Sequence, residues 1–373
     1  MAGIYIHIPF CRKACHYCNF HFSVSQNLLP QMINAICHEA ELRNGYINEN
    51  ISTIYFGGGT PSLLTIDDLR SMMDKLYSLC RIDVDAEVTL EANPDDINAE
   101  KLLAWKGVGI NRLSIGVQSF FDNDLQWMNR AHNAQQAYKS IKLAIQYGFD
   151  NISVDLIYGT PYLTDEYWLQ NLETALQLNV PHLSCYALTV EPNTALQKMI
   201  ATNKKENIDA EKQSRQFEIL MQWAAQKSYE HYEISNFAKP GFRSKHNSSY
   251  WQGKPYLGLG PSAHSYNGAS RQWNISNNNL YIQNIQKNII PFEKEELTST
   301  QKINEYLMTG LRTIEGIELN HLKKISGEEI VTDIINDAQK FIQQNLMERN
   351  NGSLILTNKG KLFADGIAAD LFR

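Results

Sequence analysis

Six short apolar runs, most of them followed by a longer amphipathic stretch, constrain the fold of this chain more than any other feature. The runs are IYIHI from Ile4, TIYFG from Thr53, EVTLEAN from Glu87, RLSIGVQ from Arg112, ISVDLIYG from Ile152 and LSCYAL from Leu183. Between them LLPQMINAICHEAELRN, TIDDLRSMMDKLYSLC, NAQQAYKSIKLAIQYG and DEYWLQNLETALQLN carry helical periodicity. Strand and helix alternating in this way predict βαβ units, a parallel sheet and right-handed crossovers. The six repeats could close partly into a barrel or lie open as a doubly wound sheet; propensity does not separate the two.

The unusual residues fall where that architecture places function. PFCRKAC, GGGTPS, EANPDD, GVQSF and DLIYGTP each follow directly on a strand, and parallel α/β folds build their sites at the carboxyl ends of strands. Five special loops on one sheet edge therefore read as one site. Beyond about residue 230 the pattern changes to a Gly-, Asn- and aromatic-rich stretch without a sustained period, too aromatic to be disordered. From about Pro291 the chain is helical again and ends in a hairpin signal, LMERNNGSLILT, turning at Asn351-Gly352. The expected units are a core over 1–235, a connecting region over 236–290 and a winged-helix-like unit over 291–373.

Charge and composition exclude several functions. The 373 residues carry a formal net charge of −6, with no like-charge block to attract nucleic acid or an anionic membrane. Residues 291–373 hold 10 Lys and Arg against 13 Asp and Glu, the wrong sign for a DNA-binding winged helix. No apolar stretch reaches the roughly 20 residues of a membrane span, and the start lacks a signal-peptide pattern. A cytoplasmic, reducing location is expected, where clustered cysteines serve as metal ligands or catalysts more often than as disulfides.

Three of the six cysteines lie within eight residues, as Cys11-x3-Cys15-x2-Cys18. Three thiolates can hold three corners of a cubane iron–sulfur cluster and leave one iron open, since Phe20 cannot ligate. Structural zinc is the main alternative, with His7, His16 or His21 as fourth ligand, and a transient disulfide is a third. Cys37, Cys80 and Cys185 sit on apolar faces and read as core. The glycine run Phe56 to Ser62 lets a ligand approach backbone N–H groups, or simply makes a tight turn. It is neither a Walker loop nor a dinucleotide fingerprint.

The cysteine loop after a first strand, with an aromatic just before the third cysteine, resembles the radical S-adenosylmethionine (SAM) superfamily. Tyr5, HIPFC, GGGTP, EANP, GVQSF, NRAHN, DLIYGTP, YEISNFA and HNSSYW, in this order, resemble the oxygen-independent coproporphyrinogen III oxidase family, and within it the heme chaperone branch. The resemblance implies a partial (β/α)6 barrel with a [4Fe-4S] cluster on Cys11, Cys15 and Cys18 and SAM on the fourth iron. It implies that Tyr5 and Tyr17 line the SAM site, that Gly58, Gly59 and Thr60 meet the methionine part through backbone, and that Glu91 takes the ribose hydroxyls or amino group. Gln118, Arg130 and Asp155 match residues that contact a second SAM or its carboxylate. Read without the resemblance, Glu91 is a capping or ion-pair carboxylate, and Arg130 pairs with Asp122 or Asp124 on a helix surface.

Two departures favour heme carriage over porphyrinogen oxidation. The oxidases carry an extension before the first strand, which here begins at residue 4, and a further cysteine where this chain has Phe20. HNSSYW matches a motif associated with heme, which implies His246 as iron ligand with Tyr250 and Trp251 over a porphyrin face; His264 and His231 are the fallbacks. The expected partners are SAM, heme or a porphyrinogen, and a heme-acceptor protein that the sequence does not identify. Oxidation of coproporphyrinogen III by SAM chemistry is the competing expectation.

Overall fold

The computed structural model describes residues 2–373. The six predicted runs form β1 (Ala2–Ile8), β2 (Ile51–Gly58), β3 (Ile82–Ala92), β4 (Arg112–Gln118), β5 (Ile152–Tyr158) and β6 (His182–Ala187), each parallel to the next. Further strands extend both flanks: β7 (Glu230–Glu233), β8 (Asn236–Ala238), β9 (Tyr256–Leu259), β10 (His264–Tyr266), β11 (Ser270–Asn274) and β12 (Phe292–Glu296). The order across this twelve-stranded sheet is β12-β11-β10-β9-β1-β2-β3-β4-β5-β6-β8-β7. The sheet curls as a partial barrel and is not closed edge to edge.

The crossover helices fall where the periodicity predicts them, at Leu29–Leu42, Ile66–Leu79, Ala134–Gln146 and Asp165–Gln177, with a further helix at Ala99–Gly107. Four of the five starts are set by side-chain caps: Thr65, Asn98, Asn133 and Thr164 each accept a backbone N–H of the first turn. Along β1 the alternation is strict. Ile4, Ile6 and Ile8 are fully buried in the core shared with the helices, while Tyr5 and His7 lie on the other face. Parallel sheets are usually apolar on both faces. Here the inner face carries Tyr5, His7, Thr53, Tyr55, Glu87, Glu91, Arg112 and Asp155, so the lumen is polar and only the outer face is core.

The region expected to connect two units is part of the sheet. β9 pairs in parallel with β1, Gly3 opposite Tyr256 and Tyr5 opposite Gly258, and β10 to β12 continue antiparallel beyond it. A buried polar cluster fastens this flank to the first helix. Glu39 accepts from Arg43 Nε (2.8 Å), the Gly260 N–H (2.8 Å), Asn274 Nδ2 (2.7 Å) and Tyr281 Oη (2.6 Å). Arg43 also donates to Gln272 Oε1 at 2.9 Å and to Asn274 Oδ1 at 2.8 Å.

The C-terminal unit has its own core of Ile303, Leu307, Leu311, Leu322, Ile334, Ala338, Leu354 and neighbours. Helices Ser299–Leu311, Leu319–Ser326 and Glu328–Gln343 pack with a small antiparallel sheet of β13 (Ile317–Glu318), β14 (Met347–Asn350) and β15 (Ser353–Leu356), in the order β13-β15-β14. This is the winged-helix-like pattern. The β14–β15 turn is made by Asn351 and Gly352 at φ 48° and 84°, the two positive dihedrals a type I′ hairpin needs.

Candidate functional site

The cysteine loop leaves β1 at the mouth of the lumen and is strapped down on three sides. Phe10 is fully buried, Cys11 N–H donates to Ser23 O (3.0 Å) and Ser23 N–H to Pro9 O (2.9 Å). Asn129 Nδ2 holds the Ala14 carbonyl at 2.7 Å, and His16 N–H holds the Met128 carbonyl at 3.1 Å. All three loop cysteines are free and partly exposed. Thr60 Oγ1 donates to Cys11 Sγ at 3.4 Å and Arg130 Nη1 to Cys15 Sγ at 3.3 Å. Burial raises the Cys11 thiol and pushes Cys18 up to about 11. Cationic iron reverses that preference, because a coordinating thiol is deprotonated outright.

Among the described residues no three His, Cys, Asp or Glu side chains gather as a single-ion site requires. The histidines weighed as a fourth zinc ligand are engaged elsewhere. His7 bonds Tyr5 Oη (3.1 Å) and His21 O (2.9 Å), His16 bonds Trp127 O (3.1 Å) and His21 bonds Asn278 Oδ1 (2.7 Å). Three sulfurs that each serve a different iron need not converge on one point.

The glycine run follows β2 and clamps the cysteine loop. The N–H groups expected to be free are taken: Gly58 donates to Glu91 Oε2 (3.2 Å), Gly59 to Ile8 O (2.9 Å) and Thr60 to Phe10 O (2.8 Å). A side chain at Gly59 would begin 2.6 Å from Phe10 O, and Gly58 adopts φ +106° against the His7 ring. The run is therefore glycine because two backbones meet there. What it offers a ligand passes through its carbonyls and the Thr60 hydroxyl.

Within the lumen, Glu91 on β3 accepts from Tyr55 Oη at 2.9 Å and from Gly58 N–H. Burial, with the nearby Asp155 carboxylate, pushes it up to about 7. Asp155 on β5 is held by Ser114 (3.3 Å) and Ser184 and is pushed up to about 6, chiefly by burial. Among the described residues no basic side chain pairs with Glu91. Two neighbouring carboxylates raised this way are candidates for a functional site. Tyr55 and Ser114 were not singled out by sequence; the alternation of TIYFG and RLSIGVQ against Glu91 and Asp155 is the signal that places them on the inner face.

Arg130 does not lie on a helix surface with Asp122 or Asp124. Asn129 turns the chain at φ 62°, and the guanidinium reaches Asn93 Oδ1 (2.7 Å), Gly116 O (2.7 Å) and Cys15. Asp122 instead caps the Ala134 N–H, and Asp124 takes Ser119 and Thr160. Gln118 ends β4 at φ +68°, a strained backbone of the kind found at sites, with its amide near Gly116. Tyr17 packs against a small buried cluster that includes Leu125, Trp127 and Met128.

His246 sits away from the mouth. The helix Lys245–Trp251 carries HNSSYW across the opposite, amino-terminal end of the strands, packed against β1 and β2. The imidazole is 1% exposed, with Nδ1 on Thr53 Oγ1 (2.7 Å) and Nε2 on Tyr250 Oη (2.8 Å). It stacks on Tyr55 at 4.9 Å, and burial pushes its protonation down to about 3. Glu87 accepts its backbone N–H at 3.0 Å. Both ring nitrogens are spent inside the barrel floor, so the structure does not present His246 as an iron ligand.

Comparison with known proteins matches this arrangement. Residues 5–175 match the radical SAM superfamily and residues 297–363 the HemN C-terminal domain. The chain is 34% identical to heme chaperone HemW of Bacillus subtilis (strain 168), over 98% of each chain. It is 35% identical to heme chaperone HemW of Escherichia coli (strain K12), over 70% of this chain and 69% of that one. The solved structure of coproporphyrinogen III oxidase (HemN) from Escherichia coli shares the fold, with a TM-score of 0.85 at 22% identity over 100% of this chain and 90% of that one. With this site geometry and these near-full-length matches, the chain belongs to the heme chaperone HemW family of the radical SAM superfamily.

Proposed function

We propose that this protein is a heme chaperone: it binds heme and passes it to acceptor proteins, and it carries a [4Fe-4S] cluster with SAM at the mouth of its barrel. The observation that carries the cofactor reading is the loop Cys11–Cys18, whose sulfurs take donors from Thr60 and Arg130 beside the uncompensated Glu91. Cys11, Cys15 and Cys18 would hold the cluster, and Glu91 and Asp155 would receive the cationic part of SAM. When bound, that pair supplies one-electron reductive chemistry. The chain's own contribution is placement and charge. Thr60 and Arg130 donate to thiolate sulfur and temper its negative charge. Tyr5 and Tyr55 wall the pocket, and His246 closes it from below.

The heme-carrier reading draws on the relatives of that name, and the cysteine loop suits it. Phe20 and Val24 are 65% and 55% exposed, an apolar edge beside the thiols that fits a macrocycle and offers no fourth ligand. Anaerobic reconstitution should give broad iron–sulfur absorption that is lost in the Cys11, Cys15, Cys18 triple alanine variant. Hemin should bind and move to an added apo-hemoprotein. Incubation with coproporphyrinogen III, SAM and a reductant should leave the substrate unchanged, and formation of protoporphyrinogen would overturn the carrier reading.

A further inference from the structure

We infer that His182 is a positioning residue for the SAM site: with Tyr232, Ser153 and Ser184 it forms a buried chain of hydrogen bonds that runs from the start of the helix Lys245–Trp251 to the Asp155 carboxylate and holds that carboxylate as an acceptor. The inference rests on the placement of SAM against Asp155 proposed above and adds the residues that support it.

The chain follows from strand register. β5 and β6 pair Ser153 with His182 and Asp155 with Ser184, which sets four polar side chains side by side on the inner face. Ser184 holds Asp155, its Oγ lies 3.1 Å from Ser153 Oγ, and Ser153 Oγ lies 2.7 Å from His182 Nδ1. His182 Nε2 lies 2.7 Å from Tyr232 Oη on β7, and the Ser244 N–H donates to the same oxygen at 3.4 Å. Ser244 caps the helix Lys245–Trp251. Ser153, His182, Ser184 and Tyr232 are all buried, whereas Asp155 keeps some exposure, so the chain meets a ligand at its Asp155 end.

The two ends fix its direction. A backbone N–H only donates, and an ionised carboxylate only accepts. Burial and then Arg112 keep His182 neutral, with one ring N–H to place. Tyr232 Oη takes the Ser244 N–H, and among the described residues its own hydroxyl proton has one acceptor, His182 Nε2. The ring proton then stands on Nδ1 and goes to Ser153, Ser153 donates to Ser184, and Ser184 donates to Asp155. Ser184 also reaches Tyr186, but a hydroxyl carries one proton and the ionisable carboxylate has the stronger claim on it. Were Asp155 to donate to Ser184 instead, every bond would reverse and the Tyr232 proton would be buried without an acceptor, an unfavourable state. Donation by Ser184 favours the ionised form of Asp155. The charged and titratable groups that face Asp155 are Glu91 on β3, Arg112 on β4, Tyr55 on β2, Tyr186 and Cys185 on β6, and Arg130. Those about Tyr232 are Arg112, Glu87 and Glu233.

The test uses the full chain reconstituted with its cluster. The readouts are the pH titration of a carboxylic-acid infrared band, assigned with Asp155→Asn, and calorimetric titration with SAM over the same pH range. Wild type should gain the band as pH falls through about 6. Tyr232→Phe and Ser153→Ala each remove one hydroxyl and leave every charged group above in place. Both should keep the band to higher pH and bind SAM about threefold or more weakly than wild type at about pH 6, with the deficit gone by about pH 8. Glu91 and Asp155 titrate as a coupled pair, so the measure is the difference from wild type at each pH. His182→Asn, whose amide keeps an N–H toward Ser153, should titrate like wild type, and His182→Leu should behave like Ser153→Ala. Folded Tyr232→Phe and Ser153→Ala proteins with the wild-type midpoint would overturn the inference. So would equal behaviour of His182→Asn and His182→Leu, which would reduce the ring to packing. A wild type that binds no SAM, with the infrared midpoints moved as expected, would overturn the SAM reading and leave the positioning of Asp155 standing.

Discussion

Replacing Glu91 by Gln should stabilise the ligand-free protein at alkaline pH while abolishing its affinity for SAM. Glu91 ionises at about 7 in place of an ordinary 4.5, because burial and Asp155 oppose its charge. A carboxylate raised in the folded state costs stability once ionised. The cost is absent below the unfolded value, grows as pH rises from 4.5 to about 7, and is complete above that. At 1.36 kcal/mol per pH unit it comes to about 3 kcal/mol at pH 8. Unfolding entropy of roughly 2 cal/mol/K per residue gives about 0.8 kcal/mol/K for a chain of this length, so about 3 kcal/mol moves Tm by about 4 °C. Gln keeps one acceptor for Tyr55 or Gly58 and loses the other, which returns about 1 kcal/mol. The net expectation is a Tm about 2–4 °C above wild type at pH 8, narrowing toward pH 5, in calorimetric melts of the metal-free chain. A variant no more stable than wild type at pH 8 would refute the argument, because it would mean the carboxylate is already compensated. Isothermal titration of the reconstituted proteins with SAM completes the test, with binding expected for wild type and not for the variant.

Two further outcomes follow from the same structure. Thr60→Ala and Arg130→Gln each remove a donor from a thiolate sulfur; both should keep the cluster but shift its potential to more negative values, with the larger shift for Arg130, in anaerobic redox titrations. Arg43→Ala leaves Glu39 charged and buried against Gly260, Asn274 and Tyr281. It should cost on the order of 3–5 kcal/mol, seen as a lower denaturant midpoint and faster hydrogen exchange across residues 256–285.

The sequence was legible where each element carried its own signal. IYIHI alternates because Ile4, Ile6 and Ile8 enter the core while Tyr5 and His7 enter the lumen, and period two is visible locally. The hairpin at Asn351-Gly352 was equally local. β9 to β11 were not legible, because they are 4, 3 and 5 residues long and their meaning lies in distant partners. Gly258 is glycine because a side chain there would begin 2.0 Å from the His264 carbonyl, a contact no periodicity reports. Arg130 was ambiguous for a related reason. Its reach to Cys15 depends on the turn at Asn129, which a helical-surface reading of DNDLQWMNRAHN does not contain. The amides of Gly58, Gly59 and Thr60 show the limit of motif transfer, since a glycine run marks close backbone approach without saying which backbone approaches.

His246 shows how the floor of the barrel reaches the site at its mouth. The ring is held by Thr53 below and Tyr250 beside it, and stacks on Tyr55; Tyr55 in turn donates to Glu91, which fixes Gly58. Replacing His246 by Ala removes the stack, opens a cavity and orphans two hydroxyls, so it should cost about 3 kcal/mol or more. His246→Asn is the finer probe, because its amide keeps one of the two hydrogen bonds and most of the fold. With Tyr55 no longer seated, Glu91 loses its aligned donor, and SAM affinity should fall even though residue 246 lies at the far end of the strands. A normal SAM affinity in a folded His246→Asn protein would break the chain at Tyr55.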